Sequence, residues 1–157
     1  MLSYRKCVAI ILQKDSKVFV GRRIDIKNAW QLPQGGVEEN EAPLEAAKRE
    51  LFEETNISSI APLGSSSSYY YDFPPHVQRI IISRRGELKY RGQEITFFAF
   101  KFLGKESEID LRKSPQEFVE YKWIYPQELL RLIVRFKRRV YEQALKEFRN
   151  MGPTQLW

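Results

Sequence analysis

Between Gly35 and Ile57 the chain sets acidic residues in a fixed spacing, G-x5-E-x7-R-E-U-x-E-E-x-x-U with U aliphatic. Gly35, Glu41, Arg49, Glu50, Leu51, Glu53, Glu54 and Ile57 carry it. Pro43 suits a first helical turn, where its missing N–H is not needed, so the spacing predicts a helix from about Pro43 to Thr55. At about 100° per residue, Glu50, Glu53 and Glu54 share an arc of roughly 100°, with Leu44, Ala47 and Leu51 beside it. Three like charges one turn apart repel and destabilise a helix. A hard divalent cation removes that cost, and Mg²⁺ or Mn²⁺ prefers oxygen ligands of this kind. The plainer alternative is a solvated glutamate face helped by an Arg49–Glu53 pair. The fixed positions at Gly35, Glu41 and Arg49 tip the reading toward a metal site.

That acidic stretch sits in a basic protein. The 157 residues carry 26 Lys+Arg against 20 Asp+Glu, a formal charge of +6. Residues 38–54 hold seven acids and two bases, a local −5, whereas residues 131–149 hold seven bases and two acids, a local +5. With 43% hydrophobic and 29% charged residues, the composition excludes disordered and fibrous classes. No apolar run approaches the roughly 18–20 residues that span a bilayer. Val8 to Leu12 is too short for a secretory h-region. A single cysteine, Cys7, excludes an intramolecular disulfide and a Cys-rich zinc site, and makes a reducing, cytoplasmic setting the default. The lone His76, expected on an exposed loop after two prolines, argues against a Ser-His-Asp triad.

One domain over residues 1–157 is expected from the length. Lys6 to Gln13 and Val18 to Arg22 read as a hairpin around a four-residue turn. Ser65 to Ser68 and the three tyrosines after it read as a strand and loop rim. Residues 95–103 read as a buried strand, and Glu120 to Tyr125 as a short one. Pro126 opens a long amphipathic helix to about residue 149. The sum is an α/β or α+β fold with several mixed strands. In that long helix Lys137 breaks the pattern by falling inside the apolar arc. Either the helix is interrupted near residue 136, or Lys137 snorkels, or it is directed into a ligand site. The Arg131, Arg135, Arg138, Arg139, Lys146 and Arg149 face is either solvated surface or a track for an RNA backbone. Alternation places Tyr69 and Tyr71 on one face and Tyr70 on the other, and lets only one of Arg22 and Arg23 reach a shared site. Cys7 is expected to be buried and inert.

The 35–57 segment resembles the signature of the Nudix hydrolases. The resemblance implies an α/β/α sandwich with a mixed sheet and a loop–helix–loop metal site, acting on nucleoside diphosphates linked to another moiety. It also implies that Glu50, Glu53 and Glu54 hold the metals, with a backbone carbonyl at Gln34 or Gly35, while Arg49 and Glu41 orient them. Glu50 is the first choice of base, although a purely metal-bridging role fits the sequence equally. Asn56 stands where the family has glycine, and asparagine is the next-best occupant of a left-handed helix cap.

Tyr4-Arg5, Ala29 to Gly36, Tyr71 to Pro74, Gly92-Gln93, Pro115-x-Glu117-Phe118 and Phe136-Lys137-Arg138-x-Val140-Tyr141 resemble one subgroup. It comprises the bacterial RNA pyrophosphohydrolases and the related dinucleoside tetraphosphate hydrolases. This implies Glu117 as a further metal ligand or base, Phe136 stacking on a nucleobase, and Lys137 meeting phosphate or base. Arg5, Arg23 and Tyr71 are further candidates for phosphate contact. Thr96 departs from a position where the subgroup has Lys or Arg, and Ala29 replaces a hydroxyl found in some members. Arg79, Arg84, Arg85, Lys89 and Arg91 lie nearby as substitutes for the missing cation.

The expected activity is Mg²⁺- or Mn²⁺-dependent removal of pyrophosphate from RNA 5′-triphosphate ends. One alternative is asymmetric cleavage of diadenosine tetraphosphate to ATP and AMP. Another is a non-catalytic RNA- or nucleotide-binding regulator, although such proteins tend to lose the glutamates retained here.

Overall fold

The computed structural model describes residues 1–151, so the last six residues of the expected 1–157 domain lie outside the described part. The Cys7 to Leu12 run forms the middle of β1 (Tyr4–Lys14), which is buried on both faces. Its side chains alternate between two cores, as the twofold pleat requires. Cys7, Ala9 and Ile11 enter one and Val8, Ile10 and Leu12 the other.

The remaining strands are β2 (Lys17–Arg23), β3 (Trp30–Gln31), β4 (Gln34–Gly36), β5 (Ile60–Asp72), β6 (Gly92–Phe102) and β7 (Phe118–Ile124). They form one mixed sheet of order β3-β2-β1-β6-β5, with β4 on β1 and β7 on β2. β1 runs parallel to β6 and antiparallel to β2 and β4. Along one edge of β1, Gln13 and Lys14 pair with β2, whereas Cys7 to Ala9 pair with β4. β2 diverges to pair with β7 from Val18 onward. This fork leaves β4, and with it Gly35, beside the glutamates of the acidic segment.

Helix α1 (Pro43–Thr55) spans the expected range and covers one core through Ala46, Ala47 and Leu51. The opposite core is covered by α3 (Pro126–Leu132) and α4 (Arg138–Arg149), giving the expected α/β/α layering.

Four expectations need correction. The hairpin turn is two residues, Asp15 and Ser16, both at positive φ (51° and 65°), a backbone that matches strand twist better than a longer loop. The long C-terminal helix is broken. Ile133 and Val134 are extended (ψ 147° and 143°), and a 3₁₀ turn at Arg135–Lys137 precedes α4. Adjacent β-branched residues favour leaving the helix there, and the break lets Ile133 stay buried while Val134 faces solvent. Finally, His76 begins a helix, α2 (Pro75–Arg85), rather than lying on a loop, although it is exposed as expected. Residues 65–68 continue β5 without a loop rim.

Candidate active site

The glutamates are positioned by backbone features on both sides of α1. Pro43 occupies the first turn, and Asn56 closes the helix in the left-handed conformation (φ 69°, ψ 9°), its N–H donating to the Phe52 carbonyl at 2.8 Å. Gly35 is required by close approach: a Cβ there would sit 2.0–2.3 Å from the Glu50 carboxylate. At Gly36 a Cβ would sit 2.5 Å from Arg5 Nη2, so the adjacent glycines admit a carboxylate and a guanidinium respectively.

Arg49 fixes this arrangement. It donates to both oxygens of Glu41 (2.8 and 3.0 Å), to the Gly36 carbonyl (2.8 Å), to Glu50 Oε1 (2.9 Å) and to Glu53 Oε2 (3.2 Å). Glu41 also accepts from the Glu38 N–H at 3.0 Å. These bonds, Arg49 first, pull the Glu41 carboxyl down to about 2. Arg49 and Glu41 thus hold the loop against the helix.

Glu54 is 8% exposed and accepts from the Gln34 N–H at 3.3 Å. Its pKa lies well above the ordinary carboxylate range, chiefly through burial, then through the charges of Glu117 and Glu50, with Glu53 adding less. Burial also raises Glu50, against the pull of Arg49, and raises the half-buried Glu117, against the pull of Arg23. Among the described residues no three His, Cys, Asp or Glu side chains are already gathered into a metal-binding cluster. Glu50 and Glu53 turn instead to Arg49. The donor set is nevertheless all oxygen, and its electrostatic fault is an excess of negative charge around a buried carboxylate. A divalent cation corrects that fault, so these residues fit one.

Beyond the carboxylates lies a second cluster. Lys137 is 8% exposed, on the same buried stripe as Val140, Tyr141 and Ala144. Burial first, then the Arg23 charge, push its ammonium down to about 8. Its Nζ is 5.9 Å from the centre of the Tyr71 ring, and Tyr71 OH donates to Gln93 Oε1. Phe136 packs on Tyr71, with ring centroids 5.6 Å apart. Arg23 bonds Asp25 through two nitrogens (2.9 and 2.6 Å), whereas Arg22 turns away to Glu120. Tyr69 and Tyr71 pack in the core as alternation requires, and Tyr70 is exposed. Interruption and inward direction therefore coexist at Lys137: the chain breaks its helix and still buries the amine.

The structure brings Arg5 to Glu50, Arg23 to Glu117 and Lys137, and Phe136 to Tyr71. It also brings in residues, Gln93 and Cys7 first, that the sequence reading named without giving them a place in the site. Gln93 shares strand parity with Ile95 and Phe97, which was available as a signal. Buried Cys7 lies close enough to Arg5, Lys137 and Glu50 to feel their charges, and burial raises its thiol pKa. Thr96 bonds Ser68 across the sheet at 3.1 Å. Arg91 is committed to Asp72 at 2.8 Å and does not replace the missing cation.

No helix among the described residues is long and apolar enough to cross a membrane. Residues 3–144 match the NUDIX domain family. The chain is 41% identical to an RNA pyrophosphohydrolase of Bartonella clarridgeiae, over 95% of this chain and 92% of that one. It is 44% identical to an RNA pyrophosphohydrolase of Erythrobacter litoralis, over 96% and 93%. Among solved structures it is similar to the E. coli dihydroneopterin triphosphate pyrophosphohydrolase, with a TM-score of 0.68 at 19% identity, covering 92% of this chain and 99% of that one. A C. elegans Ap4A hydrolase gives a TM-score of 0.63 at 16% identity, covering 90% and 96%. By domain match and by relatedness along nearly its whole length, the chain belongs to the NUDIX family.

Proposed function

We propose that residues 1–157 act as one domain, a cytoplasmic RNA pyrophosphohydrolase that removes pyrophosphate from 5′-triphosphate ends as a step in mRNA decay. The observation that carries this reading is the meeting of two opposite clusters. Buried Glu54, among Glu50, Glu53 and Glu117, lies on one side, and buried Lys137, beside Phe136 and Tyr71, lies on the other. The names of the curated relatives support the same substrate.

Glu50, Glu53, Glu54 and Glu117, with the Gly35 carbonyl, would hold Mg²⁺ or Mn²⁺. When bound, the cation neutralises phosphate oxygens and acidifies water. Glu50, braced by Arg49, accepts the proton of the attacking water. Lys137, Arg23 and Arg5 take the phosphate charge, Tyr71 lines the floor, and Phe136 offers a ring face to the first base. Departing pyrophosphate leaves a 5′-monophosphate. Incubation of the protein with triphosphorylated RNA and Mg²⁺ should release pyrophosphate and leave monophosphorylated RNA. Intact triphosphate after that incubation rejects the reading. A parallel reaction with diadenosine tetraphosphate ranks the two substrates.

A further inference from the structure

Helix α2 packs few of its residues: none is buried, and Ile80 and Ile82 are about half exposed. Its place is set by its ends. His76 meets Phe136 edge-on, with centroids 6.3 Å apart, and Arg84 lies 3.8 Å from Asp25, the partner of Arg23. The helix therefore runs along the rim of the candidate site, from the stacking ring to the arginine. His76 and Arg84 are separated by ~12 Å of helix. Between them His76, Arg79, Ile80, Ser83 and Arg84 line a shallow, open groove.

The groove's charge is one-sided. Residues 75–90 carry Arg79, Arg84, Arg85 and Lys89 against Glu87 alone, a local +3. Arg79 has no hydrogen-bond or ion-pair partner among the described residues. On α4, by comparison, Arg139 is engaged with the Tyr70 carbonyl (3.2 Å) and Gln143 (3.3 Å). A folded chain holds a loosely packed basic helix at a stable cost in self-repulsion, which a polyanion removes.

We propose that the α2 groove binds the phosphate backbone of the RNA body downstream of the first two nucleotides, with Arg79 and Arg84 as its contacts. This rests on the RNA reading of the active site and extends it. It makes α2 the element that separates a long RNA end from a short nucleotide substrate.

The test compares a triphosphorylated, unpaired decamer with the triphosphorylated dinucleotide sharing its first two bases. In the wild-type protein the decamer should show the lower KM. Arg79→Ala with Arg84→Ala should raise the decamer KM about fivefold or more and reduce its log–log salt slope by about two, one per lost phosphate contact. The dinucleotide KM should move less than twofold. The lysine pair, Arg79→Lys with Arg84→Lys, should restore most of the difference and shows that charge, not folding, is at stake. An unchanged decamer KM in the alanine variant overturns the α2 proposal while leaving the RNA activity standing. Equal losses on both substrates overturn it too, since they assign α2 to shaping the active site. Failure of the wild-type protein to process either RNA rejects the active-site reading and the α2 proposal together.

Discussion

The two sides of the cleft solve opposite electrostatic problems in opposite ways. Around α1 there are too many negative charges, and one guanidinium organises them: Arg49 reaches Glu41, Glu50 and Glu53 and the Gly36 carbonyl. Around α4 there is a buried positive charge, and Lys137 has an aromatic face beside it rather than a carboxylate partner. The first side is tightly framed before any ligand arrives. The second keeps its strongest interaction in reserve for one. A buried unpaired ammonium costs stability, so its retention marks the place where an anion is expected.

The sharpest way to break the comparison is to remove a carboxylate. Glu54→Gln should lower kcat by about 10²–10⁴-fold with little change in fold, measured by pyrophosphate release. Gly35→Ala should come next. The added methyl displaces the Glu50 carboxylate, and a shift of about 1 Å in such a group costs on the order of 100-fold in kcat. Lys137→Gln should instead raise KM, with kcat/KM falling about tenfold or more, as for loss of one charged hydrogen bond. The amine sits near 8 in the folded chain. Wild-type kcat/KM should therefore decline as pH rises through about 8, and the variant should lack that limb. Stability follows the other sign. Between about 8 and 10.5 the unfolded chain still binds the proton that the folded chain has released, so the folding penalty at Lys137 fades as pH rises.

Glu54 gives a smaller, complementary effect on stability. Its carboxyl holds a proton in the folded chain above 4.5, where the unfolded carboxyl has lost it. Stability of the metal-free protein should thus fall as pH rises through that window, and Mg²⁺ should raise Tm more at pH 8 than at pH 5. Equal Mg²⁺ effects at both pH values would count against Glu54 as a ligand. The weakest expected effect is on bulk charge: raising salt from 50 to 200 mM should reduce RNA turnover several-fold.

The two sides also differed in how far the sequence disclosed them. Glu50, Glu53 and Glu54 belong to one helix, so spacing and a 100° rotation per residue suffice to bring them together. Pro43 and Asn56 bracket that helix at the expected positions because each is a local backbone device. The α4 side is assembled from β1, β2, β5, β6 and the turn before α4. Strand parity gives the face of Gln93, but no local pattern says that it bonds Tyr71 or that Cys7 lies near Lys137. The apolar arc of residues 126–149 flagged Lys137 as anomalous, but periodicity assumes a continuous helix and could not locate the break at Ile133 and Val134. Helix α2 escaped because the consecutive run Ile80 to Ile82 blurs the short stripe of Val77, Ile80 and Ile81.

Asn56 has a further consequence. Its side chain donates to the Glu108 carbonyl at 3.0 Å, while the Glu108 carboxylate takes the Ser58 and Ser59 N–H groups and the Asp110 N–H reaches the Thr55 carbonyl. The end of α1 is thereby riveted to the segment that leads to Glu117. The outlying glutamate is delivered on a lever whose fulcrum is the last turn of the helix bearing the other three. A glycine at position 56 would ease the backbone but loosen that rivet, so helix and lever would lose their common alignment.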